Sequence, residues 1–281
     1  MNVGCPRAIG RRERIAATAR PDLRNPQPRR ELPARVALSL SLLFALCGQP
    51  STAADYAREE RWAQEVAPAI VAGDAVYLST PARAKVFAIL AEPPGAAAGG
   101  IVVVHGIGVH PDWGLNGGVR TRLADAGFVT LSVQMPVLAA DATRDDYAST
   151  LPEASERIAA GIRYLRAKGV GKIAIVSHSY GATMVNAYLA RPDALAIDAW
   201  VAIGMFGTFD ARPREPVLDI IADHDANEVR AGARRRAHDP PADACSRQLT
   251  VDGTDHFFEN RLPRLSSAIA AFLERVFDGK C

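Results

Sequence analysis

The sequence predicts an α/β fold: a mainly parallel central sheet of about eight strands with helices on both faces. Two observations carry the prediction. Short, wholly apolar runs such as 101–104 and 173–176 read as strands buried on both faces. They alternate along the chain with segments of helical periodicity, the pattern of a parallel sheet wrapped by helices. With 281 residues, 48% of them hydrophobic, the chain can bury one sizeable core.

In chain order, residues 75–78 and 85–91, separated by a short turn around Pro81, read as an antiparallel pair. The Pro, Gly and Ala stretch 93–100 is a loop before the strand 101–104. A helical pattern covers 118–126, and the next strand is 128–133. Residues 137–151 are polar and lie between a strand and a helix, so we expect a mobile wall over a site there. The helix expected over 153–168 is amphipathic, with Ile158, Ile162 and Leu165 on one face. Then come a strand at 172–176, a helix at 181–190, and strands at 199–203 and 217–222. A polar helix at 226–236, a strand near 248–251 and a closing helix at 264–277 complete the series. We find no internal repeat and no second domain.

Residues 1–54 read as a leader and 55–281 as one domain. An apolar run from Val36 to Leu46 is too short to span a bilayer comfortably but has the length of a signal-peptide core. Small residues follow at Ser51, Thr52, Ala53 and Ala54, so cleavage is expected near Ala53 or Ala54. The expectation is an exported bacterial protein, periplasmic or secreted, with no stable membrane span in the mature chain. An uncleaved N-terminal anchor is the alternative. The first 35 residues carry nine arginines against three acids, and the remainder carries 24 basic and 28 acidic residues. The body is therefore mildly acidic, which argues against a nucleic-acid partner. Of four cysteines, Cys5 and Cys47 would leave with the leader, and Cys245 and Cys281 would remain as a pair in an oxidising compartment.

Chemistry concentrates at Ser177, His178, Ser179, Tyr180 and Gly181, between a strand and a helix. That layout is a nucleophile elbow, a sharp turn holding a serine hydroxyl at its tip. The turn needs small residues two before and two after the serine; Gly181 meets the demand and Ser177, where G-x-S-x-G has glycine, meets it in part. A serine hydroxyl needs a base to take its proton and a carboxylate to orient the base. Asp225, after the strand 217–222, and His256, after the last strand, fall in the order Ser, acid, His. Asp223 and Asp210 are alternatives for the acid. The developing oxyanion needs two N–H donors, assigned to Tyr180 and, through the loop His105, Gly106, Ile107 and Gly108, to Ile107. Neither H-E-x-x-H nor paired-cysteine spacing is present, so no metal and no cofactor are expected.

On these residues the chain resembles α/β-hydrolases from about Val76 to Phe277. The segments 105–113, 131–136 and 217–225 resemble more narrowly a family of uncharacterised bacterial exported α/β-hydrolase-like proteins. The resemblance implies the fold, export and a Ser-His-Asp triad, and brings no substrate. His105, Gly106, His110, Trp113 and His178 are taken as substrate-binding; for His110 and Trp113, bracing of the loop is the competing reading. The expected function is hydrolysis of a small-molecule ester through an acyl-enzyme. The alternative is a non-catalytic envelope protein that uses the fold for binding or assembly.

Overall fold

The computed structural model describes residues 54–281, and the expected leader lies outside the described residues apart from Ala54. Eight strands form one sheet in the order β1 (Asp74–Leu78), β2 (Val86–Ala91), β4 (Phe128–Val133), β3 (Gly99–Val104), β5 (Ile173–His178), β6 (Ala199–Ile203), β7 (Val217–Ala222) and β8 (Arg247–Val251). The pairings of β2 with β1 and with β4 are antiparallel, and the others are parallel. The antiparallel pair expected at the start of the sheet is therefore present, and β2 alone runs against its neighbours. From β2 to β7 every strand residue is buried, which is why these strands read as continuous apolar runs rather than alternating ones.

The period of two along each strand divides the core between the faces. On one face Val102 and Val104 of β3 pack with Ile158, Ile162 and Leu165 of α3 (Leu151–Ala167) and with Met184 and Val185 of α4 (Tyr180–Leu189). On the other, Ile101 and Val103 pack with Val119 and Leu123 of α2 (Gly114–Asp125) and with Leu265, Ile269, Phe272 and Leu273 of α6 (Leu262–Phe277). A further helix, α5 (Asn227–His238), sets Val229 and Ala233 against Ile221 of β7. Cys245, just before β8, is disulfide-bonded to Cys281, with Cα atoms 5.1 Å apart, so the C-terminal tail is tied back to the sheet.

One helix escaped the sequence reading. Helix α1 (Tyr56–Val66) is capped by Asp55, whose carboxylate accepts the Arg58 N–H at 2.9 Å. Its apolar seam is thin, with Ala63 against Phe87 and Ile89. Charge holds it instead: the buried Glu59 carboxylate pairs with Arg157 at 3.0 Å and Arg83 at 2.8 Å and accepts the Val137 N–H. Burial pushes the Glu59 carboxyl up, against the pull of Arg157 and Arg83. The 137–151 segment is likewise less loop-like than expected. It contains a 3-10 turn at Asp146–Thr150, with Tyr147 buried and its hydroxyl accepting the Leu138 N–H. Among the described residues, no helix is long and apolar enough to cross a membrane.

Candidate active site

The β5-to-α4 junction holds Ser179 at φ 58° and ψ −128°, a conformation that L-residues rarely adopt. Surrounding contacts impose it. The Ser179 N–H donates to the Ile203 carbonyl at 2.8 Å, and the Ser179 carbonyl accepts the Ala182 N–H. A Cβ on Gly181 would stand 2.5 Å from the Val104 carbonyl oxygen, so glycine is obligatory there. Ser177 is accommodated for a different reason. Its hydroxyl accepts the Trp200 indole N–H at 2.9 Å and donates to the Val201 carbonyl at 3.2 Å, so it is absorbed between β5 and β6.

Three separate loops bring Ser179, His256 and Asp225 together. His256 Nε2 lies 2.9 Å from Ser179 Oγ, and His256 Nδ1 lies 2.8 Å from Asp225 Oδ1. With Nδ1–H donating to the carboxylate, the Nε2 lone pair is left to accept the serine proton. Asp225 is buried, and the same oxygen accepts the Ala226 N–H. The two alternative acids stand elsewhere. Asp223 accepts the Gly253 and Thr254 N–H groups and so ties down the loop that carries His256, and these bonds hold its carboxyl below the usual range. Asp210 lies at the rim of a neighbouring groove.

The glycine loop after β3 closes the site from the opposite side. A Cβ on Gly106 would sit 3.2 Å from Ser179 Cβ and 3.5 Å from its Oγ, so the loop backbone passes directly over the serine. Among the described residues neither the Ile107 N–H nor the Tyr180 N–H has a protein acceptor, which leaves both free for a ligand oxygen.

Of the five residues expected to bind substrate, Trp113 alone presents an exposed side chain. His105 is a correction. It is fully buried, its Nδ1–H donates to the Gly106 carbonyl at 2.7 Å, and its Nε2 accepts the Met135 N–H at 2.8 Å. It therefore fixes the glycine loop to the end of β4, and burial pushes its ring down to about 3. His178 is a second correction. It lies buried beneath His256, ring centroids 4.8 Å apart, and its Nε2–H donates to the His256 carbonyl at 2.9 Å. Burial first, and His256 second, push it down to about 4, so it is neutral near pH 7. Gly106 contributes closeness rather than a contacting side chain, and the His110 ring turns to Trp62 of α1 at 5.7 Å. Asp112 pairs with the buried Arg120 of α2, and with the Trp62 contact this favours the bracing reading for His110.

Sequence reasoning missed three contributors. Gly204, at φ +60°, lies where a Cβ would come within 2.9 Å of His256 Cε1. Phe206 and Phe257 flank the His256 ring at 5.9 and 5.5 Å. No local pattern in the sequence tells that the glycine after β6 faces a histidine 52 positions on. Among the described residues, no group of three or more His, Cys, Asp or Glu side chains is placed to hold a metal ion.

The fold is the α/β-hydrolase fold. It is shared with Est1E from Butyrivibrio proteoclasticus at 18% identity and TM-score 0.56, over 74% of this chain and 100% of that one. It is shared with an α/β serine hydrolase without lid from Xanthomonas campestris at 16% identity and TM-score 0.58, over 73% and 95% of the two chains. Dienelactone hydrolase from Anabaena variabilis matches at 20% identity and TM-score 0.56, over 71% and 95%. No protein-family model matches the sequence, and no curated protein matches it as a relative.

Proposed function

We propose that the protein is an exported serine hydrolase that cleaves a small-molecule carboxylic ester through an acyl-enzyme. One observation carries the reading: the unbroken chain Ser179 Oγ, His256 Nε2, His256 Nδ1, Asp225 Oδ1, with links of 2.9 and 2.8 Å, at the tip of a strained elbow. His256 takes the Ser179 proton as Oγ attacks the ester carbonyl. The Ile107 and Tyr180 N–H groups receive the oxyanion, a placement typically worth a factor of about 10² to 10³ in rate per donor. His256, as imidazolium, is stabilised by the buried Asp225 and passes the proton to the departing alcohol. A water activated by His256 then releases the acyl group and restores Ser179. The solved structures that share the fold include an esterase from Pyrococcus furiosus and the serine hydrolase from Xanthomonas campestris, which supports ester chemistry.

Export is part of the same proposal. The Cys245 to Cys281 disulfide supports it, because such bonds persist in oxidising compartments. Hydrolysis of p-nitrophenyl acetate by the purified protein tests the chemistry. Ser179→Ala should lower kcat/KM by at least about a thousandfold. Comparable turnover by the variant would refute the assignment of Ser179.

A further inference from the structure

Among the described residues the large exposed hydrophobic side chains are Val71, Tyr77, Trp113 and Phe257, and two of the four touch each other beside the candidate base. Trp113 is 38% exposed and Phe257 is 42% exposed. Their ring centroids are 5.9 Å apart at 72°, so the two rings form an open corner. Phe257 in turn stands edge-on to His256 at 5.5 Å and to His178 at 6.4 Å.

Neither aromatic is explained by local structure. Trp113 occupies the N-cap of α2 and makes no side-chain cap bond, at a position where Ser, Thr, Asp or Asn would satisfy a free N–H. Phe257 is exposed while its neighbour Phe258 is fully buried, and its ring meets only other rings of the site, Trp113, His178 and His256, among the aromatic contacts of the described residues. An apolar corner kept in water next to a nucleophile is the form of a subsite for a flat apolar group, which can stack on one ring and meet the edge of the other. Among the described residues the groove on the Phe206 side offers no equivalent exposed aromatic pair. The groove of about 730 Å³ beyond Tyr180 is rimmed by Arg144, Asp145, Asp210, Glu228 and Arg235. The Phe206 ring on that side is already covered by the Arg144 guanidinium at 4.8 Å, which also pairs with Glu228 at 2.9 Å.

We propose that Trp113 and Phe257 form the leaving-group subsite and that it takes an aryl or benzyl alcohol moiety. The assignment to the alcohol side rests on reading Ser179, His256 and Asp225 as a hydrolytic triad. In that chemistry His256 hands its proton to the departing oxygen, so the alcohol lies against the His256 ring, where Phe257 stands. The acyl side then faces the polar groove beyond Tyr180.

The test compares benzyl acetate with methyl acetate. The wild type should prefer benzyl acetate in kcat/KM, chiefly through KM. Trp113→Ala combined with Phe257→Ala should reduce that preference by roughly tenfold or more, from the loss of two aromatic contacts. Trp113→Leu should give a partial loss, and Tyr77→Ala, at an exposed aromatic on β1, should leave the preference intact. No benzyl preference in the wild type, or an equal loss on both esters, would overturn the subsite. Failure of the hydrolytic reading itself is distinguished by binding to Ser179→Ala protein. Benzyl alcohol should quench its tryptophan fluorescence saturably, and Phe257→Ala should weaken the effect. A protein that turns over neither ester but shows this binding keeps the aromatic subsite and loses the hydrolytic function, and absence of saturable quenching overturns the subsite.

Discussion

Ser177 shows how one side chain decides the interpretation of a motif. Its hydroxyl is a hydrogen-bond partner of Trp200 rather than an obstacle to the elbow, so the departure from glycine is compensated across the sheet. Ser177→Gly, which creates the common G-x-S-x-G pattern, should therefore destabilise the protein by about 1–3 kcal/mol by leaving a buried indole N–H unsatisfied. Urea unfolding measures it, and labelling of Ser179 should persist. Gly204 decides the position of the His256 ring in the same way. Gly204→Ala would push on the His256 ring at 2.9 Å, and a displacement of about 1 Å at a reacting group can cost on the order of a hundredfold in rate. Steady-state kinetics of that variant, with circular dichroism to verify folding, checks it. That Ser179, Asp225 and His256 meet was legible in sequence because each follows a strand and falls in the order expected of such a cluster. The buried roles of His105 and His178 were not, because sequence adjacency to a site does not say which way a ring points.

Between the elements, polar networks hold the loops that the apolar strands leave free. The Arg236 guanidinium of α5 pairs with Asp219 of β7 through two bonds of 2.9 Å and donates to the Met205 and Gly207 carbonyls. This fastens the loop that carries Gly204 and Phe206 against His256. Asp219→Asn leaves a buried guanidinium without its counter-charge and should destabilise the protein by about 3–5 kcal/mol in denaturant unfolding. Helix α1 is the complementary lesson. Strands and amphipathic helices were legible from apolar periodicity, but the 56–66 stretch carries five charged residues in eleven and is held by the Glu59, Arg157 and Arg83 cluster. A partner 98 positions away leaves no periodic trace. The same holds for the 137–151 wall, which Tyr147 anchors through its hydroxyl and its contact with Tyr180 at 5.9 Å.

At the scale of the whole molecule, two buried neutral histidines couple the site to acid stability. His105 is pushed down to about 3 and His178 to about 4, both primarily by burial, whereas an unfolded histidine titrates near 6.5. Because the unfolded chain binds more protons in this window, stability is fully present above about pH 6.5. It falls as pH drops toward about 4. Unfolding near pH 5 should be accompanied by the uptake of roughly two protons by these residues, and His178→Gln should lower that uptake by about one. The pH dependence of the denaturation midpoint measures both. His105 fixes the glycine loop that passes over Ser179 and His178 lies against His256, so acid unfolding in this window dismantles the site as it unfolds the chain.

The proposed reaction stands on Ser179 acting as a nucleophile activated by His256. Labelling of the purified protein with a fluorophosphonate probe, followed by peptide mapping, tests it most directly. A single modified peptide carrying the probe on Ser179 is expected, abolished in Ser179→Ala and strongly slowed in His256→Ala. Equal labelling of wild type and Ser179→Ala, or modification mapped to another residue, would contradict it.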